Sequence, residues 1–336
     1  MGSAAALREG LRRAARAPVL LAGTFALTLL IALPLTIALR GMLASQLDAS
    51  LAVTGAAGYG WWQEFLSQAT GLGTTFVPSI IGFGAVLQDL SNLADHVRPA
   101  TTIAGAVGAW LIVWAFLSGG IIDRLARDRA TRSAGFFGAA GAHFPAVLRL
   151  GILAFVAYGV LFAWLHPLLL DNVFGRLTRD TTVERNAFVI RVLLSVAFGI
   201  VIAAVNLVVD YARIRIVVED RRSAIGAVLA SVRFVRRHGG AVLGLYILNG
   251  CLFVVLIGLY ALLAGRAAPG GAVWYALLVG EAYVLARHYL KLAFYASETA
   301  LFQARLAHAG YTAAPPVIWP ESPAAESIGN AEPSRP

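Results

Sequence analysis

Six stretches of this chain run apolar for the length that a bilayer demands. A helix rises about 1.5 Å per residue, so about 20 mostly apolar residues cross the hydrocarbon. The stretches 17–39, 100–122, 150–170, 188–209 and 239–265 meet that requirement cleanly. His166 is the one break in the third, and Arg191 lies close to one end of the fourth. A sixth stretch, 272–292, is less clean because Glu281, Arg287 and His288 fall inside it. Pro34 predicts a kink near the outer end of the first. The pattern is that of an all-α protein, a six-transmembrane-helix bundle forming one membrane domain over residues 1–310. The run at 17–39 exceeds the apolar core of a cleavable signal peptide, about 7–15 residues, and reads as a retained first span.

The connections carry their own patterns. The longest, 41–98, contains Trp61-Trp62 in an apolar setting, and indoles favour the headgroup zone. Further on, Leu87, Leu90, Leu93 and Val97 recur at helical spacing beside Gln88, Asp89, Asn92 and Asp95. That spacing predicts a short amphipathic helix leading into the second span, and both pieces are expected on the outer membrane surface or capping the bundle. Residues 311–336 are proline-rich without periodicity and predict a disordered cytoplasmic tail.

Charge sets the orientation. Of 336 residues 59% are hydrophobic and only 13% charged, yet the net charge is +9. Arginine supplies nearly all of it, Lys291 being the only lysine, a bias that with abundant Ala and Gly fits a GC-rich bacterial genome. The arginines flank apolar runs, so membrane topology accounts for them before nucleic acid does. Of the 27 basic residues, 20 fall in 1–17, 123–149, 210–238 and 285–336. By the positive-inside rule both termini are cytoplasmic, and the protein is expected to be multi-pass in the bacterial cytoplasmic (inner) membrane.

The chain also echoes itself. Ser3-Ala4, Ser133-Ala134 and Ser223-Ala224 each open a helical segment that leads into an odd-numbered span. His143, Ala146-Val147-Leu148 and Leu150 match His238, Ala241-Val242-Leu243 and Leu245 at one offset. The even spans close on Leu125-Ala126-Arg127, Tyr211-Ala212-Arg213 and Leu285-Ala286-Arg287. This predicts three helical hairpins, each preceded by an interfacial amphipathic helix whose first serine caps it. In the third copy Ile225, Val228, Leu229 and Val232 form one apolar stripe, with Arg233, Arg236 and Arg237 after it. These three arginines, with Arg12 and Arg13 of the first copy, are the candidate contacts for anionic lipid head groups.

Reaction chemistry is hard to find. The sequence has no nucleotide-binding glycine loop, zinc-ligand spacing or nucleophile elbow, so no cofactor, metal or catalytic residue is expected. Cys251 stands alone, and the six histidines are scattered. Glu281 is the sharpest candidate, because a carboxylate at mid-bilayer costs about 2.5–3.5 kcal/mol. Arg287 lies on a different helix face, which leaves Asn206 and Asn249 as partners at plausible depth; the functional reading is a proton or cation site, the bland one a single buried salt bridge or hydrogen bond between helices. Asp210, Arg213 and Arg215, with Glu219 to Arg222, read as a solvated, salt-bridged cytoplasmic linker.

Ser118-Gly119-Gly120-Ile121-Ile122-Asp123-Arg124-Leu125-Ala126-Arg127, Asp210-Tyr211-Ala212-Arg213, Val218 to Ala224 and Arg233 to His238 together resemble a broad set of uncharacterised bacterial inner-membrane proteins. More distantly, the design is similar to the membrane domain attached to some glycerophosphodiester phosphodiesterases. The resemblance covers roughly residues 100–305 and implies the six-helix bundle; no phosphodiesterase catalytic domain is present, so that activity does not carry over. The expected function is a non-enzymatic one, organising membrane lipids or protein partners, with a homo-oligomer open. The alternative is a small transporter or permease using Glu281.

Overall fold

The computed structural model describes residues 1–54, 59–75, 101–264 and 273–306. All regular structure among them is helical. In chain order the helices are α1 (Ser3–Ala15), α2 (Pro18–Thr54), α3 (Tyr59–Gln68), α4 (Thr101–Arg127), α5 (Ser133–Thr178), α6 (Glu184–Val218), α7 (Ala224–Arg237), α8 (Gly239–Ala264) and α9 (Val273–Arg305). Five contain stretches long and apolar enough to cross a membrane: Pro18–Ala44, Ala104–Arg127, Ser133–Thr178, Glu184–Val218 and Gly239–Ala264. α9, at 33 residues, is long enough but is not among them. Glu281, Arg287, His288 and Lys291 lower its hydropathy.

The helices outrun the apolar stretches that announced them. α2 continues past Leu39, so the first part of the expected loop at 41–98 is helical; Phe65 of α3 is buried. The amphipathic helix expected near 87–97 and the tail expected at 311–336 lie outside the described residues.

Two of the three repeated openings keep a break between leading helix and span. In the first, α1 ends at Ala15 and Pro18 starts α2, where its missing N–H costs nothing. In the third, the chain breaks at His238 (φ −119°, ψ 24°), and Gly239 opens α8. The second has no such break: α5 runs on through Pro145, so no separate interfacial helix precedes this span. Pro145 lies inside the helix and forfeits one hydrogen bond, to the Gly141 carbonyl. Further along, Pro167 lacks the N–H that would reach Ala163, and α5 widens into π-helical turns at Leu161–Leu165 and Leu168–Val173.

Of the three expected serine caps, Ser223 alone makes one, accepting from Gly226 N at 3.1 Å. Ser3 and Ser133 are already inside their helices, and the Ser3 hydroxyl donates instead to the Ala241 carbonyl at 2.8 Å. Just after α4 and α6 the chain turns on Asp128 (φ 47°) and Asp220 (φ 50°), the left-handed conformation that a short aspartate tolerates better than most residues.

The densest packing gathers at one end of the bundle. Ala6 and Ala14 of α1, Ile121 and Leu125 of α4, Tyr211 and Ile214 of α6, Phe234 of α7, Leu245 of α8, and Leu301 and Phe302 of α9 belong to one buried cluster. The last third of α9 is its axis, since every residue from Tyr295 to Gln303 is buried. α1 lies tight against it: a Cβ on Gly10 would stand 2.5 Å from Ser297 Cβ. Tyr289 Oη donates to the Leu11 carbonyl at 3.0 Å, and Arg305 Nη2 to the Met1 carbonyl at 3.1 Å, so both ends of the described chain sit together. Away from this end the helices turn apolar side chains outward, Phe155 (75% exposed), Trp164 (77%) and Leu262 (72%) among them. That is the surface expected of a protein solvated by hydrocarbon.

Candidate functional site

Four helices, α4, α6, α8 and α9, enclose a cavity of about 450 Å³. At 1.5 Å per residue its lining lies about 10 to 20 Å in from the arginine-bearing ends of these helices. That lining mixes apolar surface, including Phe253 and Phe294, with a concentration of charged and amide side chains. α6 contributes Asn206, Asp210 and Arg213, which share a face because they are spaced four and three apart. α9 contributes Lys291, Tyr295 and Glu298, spaced four and three apart in the same way.

The α6 groups are mutually satisfied. Asn206 Nδ2 donates to Asp210 Oδ2 at 3.0 Å and to Tyr246 Oη at 3.3 Å, while Tyr158 Oη donates to Asn206 Oδ1 at 3.4 Å. Arg213 Nη1 donates to Asp210 Oδ1 at 3.3 Å and to Tyr295 Oη at 2.7 Å, and Trp114 Nε1 donates to the same hydroxyl at 3.2 Å. This is one continuous network from α5 to α9, with Asp210 and Arg213 as its paired charges.

The two charges on α9 are different. Lys291 Nζ stands 3.6 Å from the centroid of the Trp114 ring, a cation–π contact. Among the described residues no carboxylate lies within ion-pair distance of it. Glu298 is 4% exposed, and no described residue hydrogen-bonds its carboxyl. A cation and a carboxyl without a direct hydrogen bond or ion pair among the described residues therefore face one chamber from positions seven residues apart, two turns and about 10 Å along the helix axis.

The residues expected to form a site are placed as follows. Asn206 and Asn249 both line this cavity; Asn249 Nδ2 donates to Ser297 Oγ at 3.2 Å, and its Oδ1 is buried without a partner among the described residues. Glu281 lies ten residues before Lys291 on α9, does not line the cavity, and has one carboxyl oxygen buried without a partner among the described residues. Asp210, Arg213 and Arg215, expected in a solvated linker, lie in α6, which continues to Val218; Arg215 is 7% exposed and paired with Glu219 at 2.9 Å. The third closing tripeptide, Leu285-Ala286-Arg287, also differs from its counterparts: Leu125-Ala126 and Tyr211-Ala212 are fully buried, Leu285 is exposed, and Tyr295-Ala296 hold the corresponding buried place on α9.

The arginines expected at lipid head groups divide. Arg233, Arg236 and Arg237 are exposed on α7, beside the exposed Ile225, Leu229 and Val232, while Ala227, Ser231 and Phe234 face the protein. Arg13 is buried, donating to the Leu125 carbonyl at 3.1 Å, to Gln303 Oε1 at 2.9 Å and to Glu9; it holds α1 to α4 and α9 rather than reaching a lipid. Arg12 pairs with Glu9 and with Asp128 at 2.7 Å. Hydrogen bonds from Arg12, and then from Arg13, outweigh partial burial and hold the Glu9 carboxyl down at about 2.

Sequence reasoning missed Lys291 and Glu298. One signal was in view, a single lysine in a chain that otherwise uses arginine, placed seven residues before a glutamate. Comparison with family models, curated proteins and solved structures finds no match.

Proposed function

We propose that the protein is a transporter of small zwitterionic solutes, embedded in the bacterial cytoplasmic membrane through six spans with both termini in the cytoplasm. The observation that carries this reading is that Lys291 and Glu298 face the chamber with no hydrogen bond or ion pair to a described residue, whereas Asp210 and Arg213 bond each other directly. Burying an ion costs several kcal/mol even after relaxation, and an unpaired one recovers little of that. A solute with an anionic group for Lys291 and a cationic group for Glu298 supplies both missing partners at once. A cavity of 450 Å³ suits a small molecule of that kind. The chamber favours transport over the lipid- or protein-organising role. On this reading the solute site is built on Lys291 and Glu298 and does not include Glu281.

The sixth span is α9. The contact between Met1 and Arg305 supports an even number of crossings, and five apolar helices would leave α9 to complete the set. Two of its polar residues have places inside the bundle: Lys291 faces the chamber and His288 Nε2 meets Thr28 Oγ1 at 3.0 Å.

The test is a thermal-shift series on the purified full chain in detergent, against zwitterionic, anionic and cationic solutes of similar size. A ligand at a hundred times its Kd adds about 2.7 kcal/mol of stability, an easily read shift. Zwitterions such as amino acids or betaines are expected to raise Tm, and Lys291→Met and Glu298→Gln each to abolish the rise. If anions alone stabilise the protein, or if Glu298→Gln responds like the parent, the reading fails.

A further inference from the structure

A second cavity, about 600 Å³, lies between the start of α2, the second half of α4 and the first turns of α5. Leu20, Leu27, Val113, Leu117 and Phe137 make most of its wall apolar, and Arg16 and Arg124 stand at one end. Leu27 is nine residues beyond Pro18 and Val113 eleven before Arg124, so the groove runs about 15 Å from the guanidinium end into the apolar band.

Arg124 is the decisive residue. It is 9% exposed, and its Nη2 donates only a long hydrogen bond, 3.4 Å, to the Arg16 carbonyl. Among the described residues no carboxylate lies within ion-pair distance of it. The acid nearby, Asp128, is taken by Arg12 at 2.7 Å and by Arg16 at 3.6 Å, while Glu9 is taken by Arg12 and Arg13. Arg12, Arg13, Arg16 and Arg124 thus face two carboxylates, and the corner has surplus positive charge opening onto an apolar slot.

We propose that this groove is a binding site for an anionic phospholipid of the surrounding leaflet. The phosphate sits against Arg124 and Arg16, and one acyl chain lies along Leu20, Leu27 and Val113. A phosphate accepts charge-assisted hydrogen bonds from guanidinium groups, and the chain covers side chains that α2 leaves bare. The site is separate from the exposed arginines of α7 and does not depend on the solute chamber.

Native mass spectrometry of the full chain, titrated with phosphatidylglycerol or phosphatidylcholine of identical acyl chains, tests it. The parent protein is expected to hold its tightest phosphatidylglycerol about tenfold more strongly than phosphatidylcholine. Arg124→Gln removes that preference. Leu27→Trp fills the slot, leaves both arginines in place and also removes it, which keeps the test decisive where Arg124→Gln fails to fold. Excess inorganic phosphate leaves the lipid bound. An Arg124→Gln protein that retains phosphatidylglycerol like the parent overturns the proposal. So does a Leu27→Trp protein that keeps the preference, or displacement of the lipid by phosphate alone, which would make the occupant a free anion.

Discussion

A charge taken out of water must find another partner, and the way each buried charge here does so separates scaffold from site. Asp210 and Arg213 find each other, Asn206 and Tyr295, so Arg213→Gln strands a carboxylate and is expected to lower stability by about 3–5 kcal/mol. Lys291 and Glu298 have no such match, so Lys291→Met is expected to leave Tm equal to or above the parent's while abolishing solute binding. Thermal melts of the two variants check this; a Lys291→Met protein that melts as early as Arg213→Gln would mean the lysine is scaffold. Glu9 gives a third contrast, outside the membrane. Its carboxyl titrates near 2 in the fold against 4.5 ordinarily, so its contribution is complete above about 4.5 and disappears as pH falls from there through about 2. The Tm gap between the parent and Glu9→Gln is therefore expected to close over that window. A gap that is constant with pH would show that the ion pairs with Arg12 and Arg13 contribute nothing.

At the scale of the element, the apolar runs reported where helices cross the bilayer but not where they end. Asn206 and Asn249 were legible because a polar residue inside an apolar run is conspicuous. Asp210, Arg213 and Glu298 were not, because they lie beyond the ends of the runs, where charge ordinarily means solvent. What keeps them from water is the packing of α1 and the last third of α9, and that depends on contacts between residues nearly 300 apart. Gly10 is the point where those helices meet. Gly10→Ala sets a methyl 2.5 Å from Ser297 Cβ and is expected to cost about 1–3 kcal/mol. Gly258→Ala, in open space on α8, is expected to be neutral or slightly stabilising, because alanine favours a helix more than glycine does. Equal melting temperatures for the two variants would mean that α1 is not docked as described.

On the scale of the whole molecule, the arginines and the packing point the same way. The dense end of the bundle is the end where arginines concentrate and where Met1 meets Arg305. Reporter fusions at the two termini are accordingly expected to signal from the same, cytoplasmic side. The central claim is that the charged chamber is a solute-accessible compartment, and two neighbouring residues on α8 test it. Gly250 lines the chamber with room for a side chain, while Cys251 is exposed on the outer surface of the bundle. In intact membranes, a Gly250→Cys, Cys251→Ser protein is predicted to react with a small hydrophilic thiol reagent, and to be protected by a bound zwitterion, while native Cys251 stays unreactive in its lipid setting. A Gly250→Cys, Cys251→Ser protein that resists the reagent, while the parent reacts at Cys251, would contradict the account.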